Sequence, residues 1–255
     1  MVSKEEKKKL RKDFNQKLRG KLKETYERFC DEHGIKRVAR CFSLIMKEVE
    51  EQLKNHPFLE TLEDREQSWR ARRGGMLEWL VQKHISDWVS QTLGLRCAKF
   101  TKGSLRKNYD RVKEQVQVRI GDKGVVPDVD LVVFQEEPFR VLAVLSVKKK
   151  FRERIAQVAY WTVKLRTSSG GKVKNFMVTT DENGTFNAVK KQKGKEKKET
   201  DKAIAIAQED INGTFVAADR QIMRSEKIRP YETLLDELRR LMDENDVGES
   251  EDAEE

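Results

Sequence analysis

Cysteine and proline are scarce in this 255-residue chain, at three and four residues. Cys30, Cys41 and Cys97 are odd in number and far apart. They supply neither a disulfide framework nor a close-spaced metal pair, and they read as reduced structural thiols of the cell interior. Histidine is equally sparse: His33, His56 and His84 lack the spacing of a helix-borne zinc pair. Long apolar runs are missing too, and none approaches the roughly 18 residues of a membrane-spanning helix. The opening Met1-Val2-Ser3-Lys4-Glu5-Glu6-Lys7 is charged rather than apolar, so a cytoplasmic location without membrane contact is expected. These absences exclude a disulfide-stapled secreted domain, a collagen-like fibre and a helical membrane protein.

Charge is what the chain has in excess. Charged residues make up 38% and hydrophobic ones 37%, against about 25% charged in a typical soluble domain. The apolar residues must therefore be concentrated in a few elements. The net charge is +9, yet residues 243–255 hold eight acids and no lysine or arginine, leaving +17 on residues 1–242. A basic body of this kind invites a polyanion such as nucleic acid. A heat-adapted surface rich in both signs accounts for the composition equally well.

Apolar residues at helical spacing (Leu10, Phe14, Leu18, Leu22, Phe29) predict a helix over 1–29, with ten basic and four acidic residues in its first 25 positions. Val38, Phe42, Ile45, Val49 and Leu53 predict a second helix over 36–54, ended by His56-Pro57. A third helical region spans 62–93, with Gly74-Gly75 in its middle. The character changes near residue 111. Val112 to Ile120 alternates loosely, a Gly121-to-Gly124 turn follows, and Val125 to Phe134 reads as a strand. Val141 to Val147 is a continuous apolar run, the pattern of a strand buried on both faces. Then come a helix from Phe151 to Leu165, a strand over Asn175–Thr180, and a lysine-rich exposed segment over 190–202. A short helix over Lys202–Gln208, a strand over Thr214–Ala218 and a helix over Tyr231–Met242 complete the chain. The order predicts an α/β (α+β) fold with a helical N-terminal region. It divides into 1–60 (helical, a dimerisation or DNA arm), 61–242 (core) and 243–255 (a disordered acidic tail).

The chemistry concentrates between Pro127 and Arg154. Asp128 and Asp130 are two apart at the head of an apolar strand, so they share a face. Carboxylates there are costly unless paired or metal-bound. Leu142, Val144, Ser146 and Lys148 line one face of the next strand. If the two strands are neighbours, about 4.8 Å apart, Lys148 meets the aspartates. Carboxylate oxygens beside an ammonium group suit Mg²⁺ and an attacking water. An ordinary surface ion pair is the alternative.

Pro127-Asp128-Val129-Asp130 followed by Ser146-Val147-Lys148 resembles the PD-(D/E)XK nucleases. Lys148-Lys149-Lys150-Phe151-Arg152-Glu153-Arg154 resembles the Lys-x-x-x-Arg-(Asp/Glu)-Arg signature of type II restriction endonucleases that recognise CCGG-type or interrupted CC/GG sites. The resemblance implies a restriction-endonuclease-like fold, a mixed central sheet flanked by helices. It implies Mg²⁺-dependent, sequence-specific hydrolysis of double-stranded DNA by a homodimer. Lys148 matches the catalytic lysine and Asp130 the metal-binding aspartate. Asp128 occupies the literal Pro-Asp position, and the two aspartates are not separable at this level. Glu78 resembles the acid that an earlier helix contributes, and Arg152, Glu153 and Arg154 match the recognition motif. Ser146 replaces a common acid, and Tyr160-Trp161-Thr162 supplies no substitute. Arginine forks on guanine and glutamate on cytosine amines would read C·G pairs. A repair or junction-resolving nuclease of the same fold, or an inactive DNA-binding relative, stays open.

Overall fold

Ser3 and Glu6 open the first helix as a capping pair, with the Ser3 hydroxyl accepting the Glu6 N–H at 3.2 Å. The computed structural model describes residues 3–150, 154–188 and 198–251. Helix α1 (Lys4–His33) ends at Gly34, whose φ of +76° suits a residue without a Cβ. A short 3₁₀ turn leads into α2 (Phe42–Leu53). The single turn α3 (Pro57–Glu60) starts where His56 Nδ1 accepts the Phe58 N–H. Helix α4 (Arg65–Thr92) runs unbroken through Gly74-Gly75. Strand β1 (Leu95–Lys99), α5 (Lys102–Leu105), α6 (Tyr109–Val116), the hairpin β2 (Val118–Ile120) and β3 (Lys123–Val125), then β4 (Leu131–Gln135) and β5 (Arg140–Lys148) follow. The remainder is α7 (Ile155–Ser168), β6 (Lys174–Thr179), α8 (Lys198–Glu209), β7 (Gly213–Val216), β8 (Ile228–Pro230) and α9 (Leu234–Glu251).

Six strands form one mixed sheet in the order β1-β4-β5-β6-β7-β8. β1, β4 and β5 are antiparallel neighbours, and β5 through β8 run parallel. Alternation divides the core. Leu131, Val133, Leu145, Val147, Phe176, Val178 and Phe215 face a layer made by α1, α2, α4 and α9. Val132, Phe134 and Val144 face α5, α6 and the β2–β3 hairpin, while Met177 and Val216 face α7 and α8. The sheet is thus covered on both sides, as its parallel half requires. Phe14, Leu22, Tyr26 and Phe29 of α1 belong to the same core as the sheet, each worth about 2 kcal/mol of burial. Among the described residues this core cluster takes residues from both sides of position 60. Among the described residues no helix is long and apolar enough to cross a membrane.

Three expectations need correction. Val112 and Val116 are both fully buried at helical spacing, so most of 112–120 is helix α6 rather than strand. The strand expected from Val125 begins only at Leu131, because Pro127 has no N–H for a ladder. A bulge pairs Val133 with Ala143 and Phe134 with Val141. It turns Leu142 into the α1–α4 layer, away from the face of Val144 and Ser146. Helix α9 runs as far as Glu251, into the 243–255 segment read as an acidic tail, and residues 252–255 lie outside the described residues. Its glutamates are good helix formers extending a helix already anchored by Leu238 and Leu241. The lysine-rich segment lies mostly outside the described residues.

Candidate active site

Asp130 stands immediately before β4, and Lys148 is the last residue of β5. The Asp130 N–H donates to the Leu145 carbonyl at 3.0 Å, and its carbonyl accepts from the Phe100 N–H at 3.3 Å, so the backbone is fixed from both neighbouring strands. Its Oδ2 accepts the Val147 N–H at 2.6 Å and the Lys148 ammonium at 2.8 Å. One neutral and one charged donor on the same oxygen hold the carboxylate in a single orientation. Both side chains are half-buried, 15% and 24% exposed. Oδ1 takes no hydrogen bond from any described residue.

The other expected acids are engaged elsewhere. Glu78, on α4, accepts from Lys99 Nζ at 2.7 Å. Lys99 is the last residue of β1 and pairs in register with Leu131, next to Asp130. Glu78 is therefore tied to the end of the strand that neighbours β4. Asp128 is exposed and accepts from Gln157 Nε2 of α7 at 2.9 Å. Gln157 also accepts from Arg154 Nη1 at 2.9 Å. Among the described residues no three His, Cys, Asp or Glu side chains gather at one point, so the structure does not bring Asp130, Glu78 and Asp128 together as one cluster. Arg154 is at the N-cap of α7; Arg152 and Glu153 lie outside the described residues.

Mg²⁺ is commonly held by one or two carboxylates, the remaining positions going to water and substrate phosphate. The unengaged Oδ1 of Asp130, a hard oxygen on a fixed carboxylate, fits that donor set. Ser146 is buried at 2% exposure. Thr162, fully buried, donates to the Val158 carbonyl and accepts from Asn175, so it braces α7 against β6. Burial pushes the Cys97 thiol up to about 12, which makes it a neutral core group.

The sequence reading missed two neighbours. Lys149 pairs with Glu182 at 3.0 Å. Asp181, fully buried, accepts the Thr185 and Phe186 N–H groups and pairs with Arg220 at 2.8 Å. Asp181 and Arg220 are 39 residues apart, and no local motif links them.

A family profile described as BsaWI restriction endonuclease type 2 matches residues 106–237, just over half of the chain. The chain belongs to the BsaWI restriction endonuclease family. The matched region includes Asp128, Asp130, Lys148 and Arg152–Arg154, and excludes Glu78. Among curated relatives of this BsaWI-family chain, the "Probable type II restriction enzyme HpyAORF263P" of Helicobacter pylori is 38% identical over 124 residues, covering 48% of this chain and 64% of its own. MjaVIP of Methanocaldococcus jannaschii is 28% identical over 138 residues, covering 52% of this chain and 60% of its own. The chain thus spans under two thirds of the curated relatives it matches. The solved complex of restriction endonuclease PspGI with substrate DNA shares the fold: TM-score 0.57 and 17% identity over 91% of this chain and 93% of that one.

Proposed function

We propose that this BsaWI-family chain is a site-specific endonuclease that hydrolyses phosphodiester bonds in both strands of double-stranded DNA and requires Mg²⁺. The observation that carries the reading is the 2.8 Å contact of Lys148 with Asp130 at the carboxyl end of β5. Asp130 would hold the ion through Oδ1, and Glu78 would join it once Lys99 turns to a DNA phosphate. Asp128, spent on Gln157, is left to orient the start of α7. The bound ion would neutralise phosphate charge and favour an ionised water. Lys148 has three N–H donors and needs one for Asp130. The others can reach a non-bridging phosphate oxygen or the attacking water, where positive charge stabilises the transition state.

Arg152, Glu153 and Arg154, which precede α7 in the sequence, would read C·G pairs of a CCGG-type or interrupted CC/GG site. Cutting both strands of a palindrome suits a two-fold homodimer.

The test is digestion of a sequenced plasmid with Mg²⁺, with and without a chelator, followed by end-mapping. Discrete fragments sharing one sequence at their ends, lost with the chelator, support the reading. An uncut plasmid, or cutting restricted to branched DNA, refutes it.

A further inference from the structure

The strands β5, β6, β7 and β8 end in register: Lys148 pairs with Thr179, Thr179 with Val216, and Val216 with Pro230. This row is one rim of the sheet, and the active-site lysine is at one end of it. At the other end is a cavity of about 320 Å³, lined by Val216, Pro230, Arg40 and the strap 218–224. At about 4.8 Å per strand the cavity lies roughly 10–14 Å from Lys148 along the rim. Nothing in the proposed chemistry uses it.

The strap is built as a rigid platform. The Ala217 N–H donates to the Thr179 carbonyl at 2.8 Å, the Met223 N–H to Phe186 at 2.7 Å, and the Ala188 N–H to Gln221 at 3.2 Å. Ile222 is buried. Arg220 is clamped by the carbonyl and carboxylate of buried Asp181, a residue at φ +49° whose turn the same carboxylate closes. Arg40 is paired with Glu232. Asp219, Gln221 and Arg224 are exposed on the strap. Their side chains make no hydrogen bond to any described residue.

The chemistry of those three decides what they suit. A phosphate accepts from basic side chains, amides, hydroxyls and backbone N–H groups, but a carboxylate has no donor to offer it and repels it. Here one acid, one amide and one guanidinium stand together, while the neighbouring arginines are already neutralised. That mixture of donors and acceptors matches base edges: arginine on guanine, glutamine on adenine, aspartate on the cytosine amine. We infer that Asp219, Gln221 and Arg224 form a second base-reading element, contacting pairs other than those read by Arg152–Arg154. For a duplex lying along this rim, about 3.4 Å per step puts its bases about three to four steps from the scissile phosphate. A preordered strap loses little freedom on binding, which is what a specificity contact needs. The inference rests on the nuclease reading above.

The experiment uses the full chain and duplexes carrying the site mapped by plasmid digestion, with each pair within five steps of the cut varied in turn. Gln221→Ala, Arg224→Ala and Asp219→Ala are compared with the wild type, with thermal midpoints confirming the fold. The wild type should discriminate about tenfold or more at pairs three to four steps away. At least one variant should bring that ratio close to one, while discrimination at the C·G pairs and the salt dependence of binding stay unchanged. Two results overturn the inference alone: discrimination unaltered in all three variants, or a uniform loss of affinity with a salt slope smaller by about 1, the mark of a phosphate contact. A wild type that cuts no duplex overturns the nuclease reading and this inference together.

Discussion

Lys148 Nζ lies 2.8 Å from Asp130 Oδ2 although 18 positions separate them in the chain. The antiparallel pairing of β4 with β5 brings them together, and the Val147 N–H holds the same oxygen. Lys148→Ala should lower cleavage by about 10²-fold or more, the usual cost of losing one transition-state donor. DNA affinity measured without Mg²⁺ should change little. Cleavage at the wild-type rate would show that this pair is structural only.

Glu78 tests whether a second carboxylate serves the ion. Glu78→Gln keeps a hydrogen bond to Lys99 but removes the charge. The Mg²⁺ concentration for half-maximal cleavage should rise about tenfold, the usual scale for losing part of a metal site. An unchanged Mg²⁺ titration would confine Glu78 to its salt bridge.

Arg152→Ala and Arg154→Ala should each cost about 1–3 kcal/mol of discrimination between sites, with a smaller effect on affinity for unrelated duplex. Competition of cognate against scrambled DNA reads this directly. Equal preference in wild type and variants would remove these residues from recognition.

Truncation after Met242 keeps Leu235, Leu238 and Leu241, the buried residues that dock α9. The shortened chain should cut at the full rate, as a plasmid assay would show. A dead truncation would give the acidic part of α9 a role in the reaction.

His84 makes a pH prediction. It is fully buried between Tyr231 and the Ile35 carbonyl, and burial lowers its pKa from 6.5 to about 4. The unfolded chain therefore takes up the proton first as pH falls. This contribution to stability is complete above about pH 6.5, declines through the interval, and is lost by about pH 4. Between pH 7 and 5 the loss should be roughly 2 kcal/mol. Urea midpoints at the two pH values measure it, and His84→Gln should flatten the difference. Equal slopes in both proteins would assign the acid sensitivity to other groups.

The parts of this chain legible in its sequence are those whose pattern is local. The stripe after Gly75 and the apolar run of β5 each announce themselves within a few residues, and Asp130 and Lys148 each stand at the end of one such apolar run. What escaped depended on distant partners. β1 (Leu-Arg-Cys-Ala-Lys) carries two bases because it is an edge strand, where charge blocks further pairing. The bulge at Leu142 exists only through the register with Val133 and Phe134. Asp128 and Asp130 look equivalent in sequence; a backbone donor on β5 and an amide on α7 set them apart. The Asp181–Arg220 clamp joins two loops that share nothing until β6 and β7 pair side by side.

The edge-to-face packing of Phe42, His84 and Tyr231 ties the early helices to the residue that follows β8. A growing polypeptide that has not yet emerged past Tyr231 leaves this aromatic knot open, even though β4 and β5 are already made. Closure of the core is then a late, long-range event rather than a local one, and folding should be correspondingly slow. A chain assembled in this way locks its helices onto the sheet only after Tyr231 has been made.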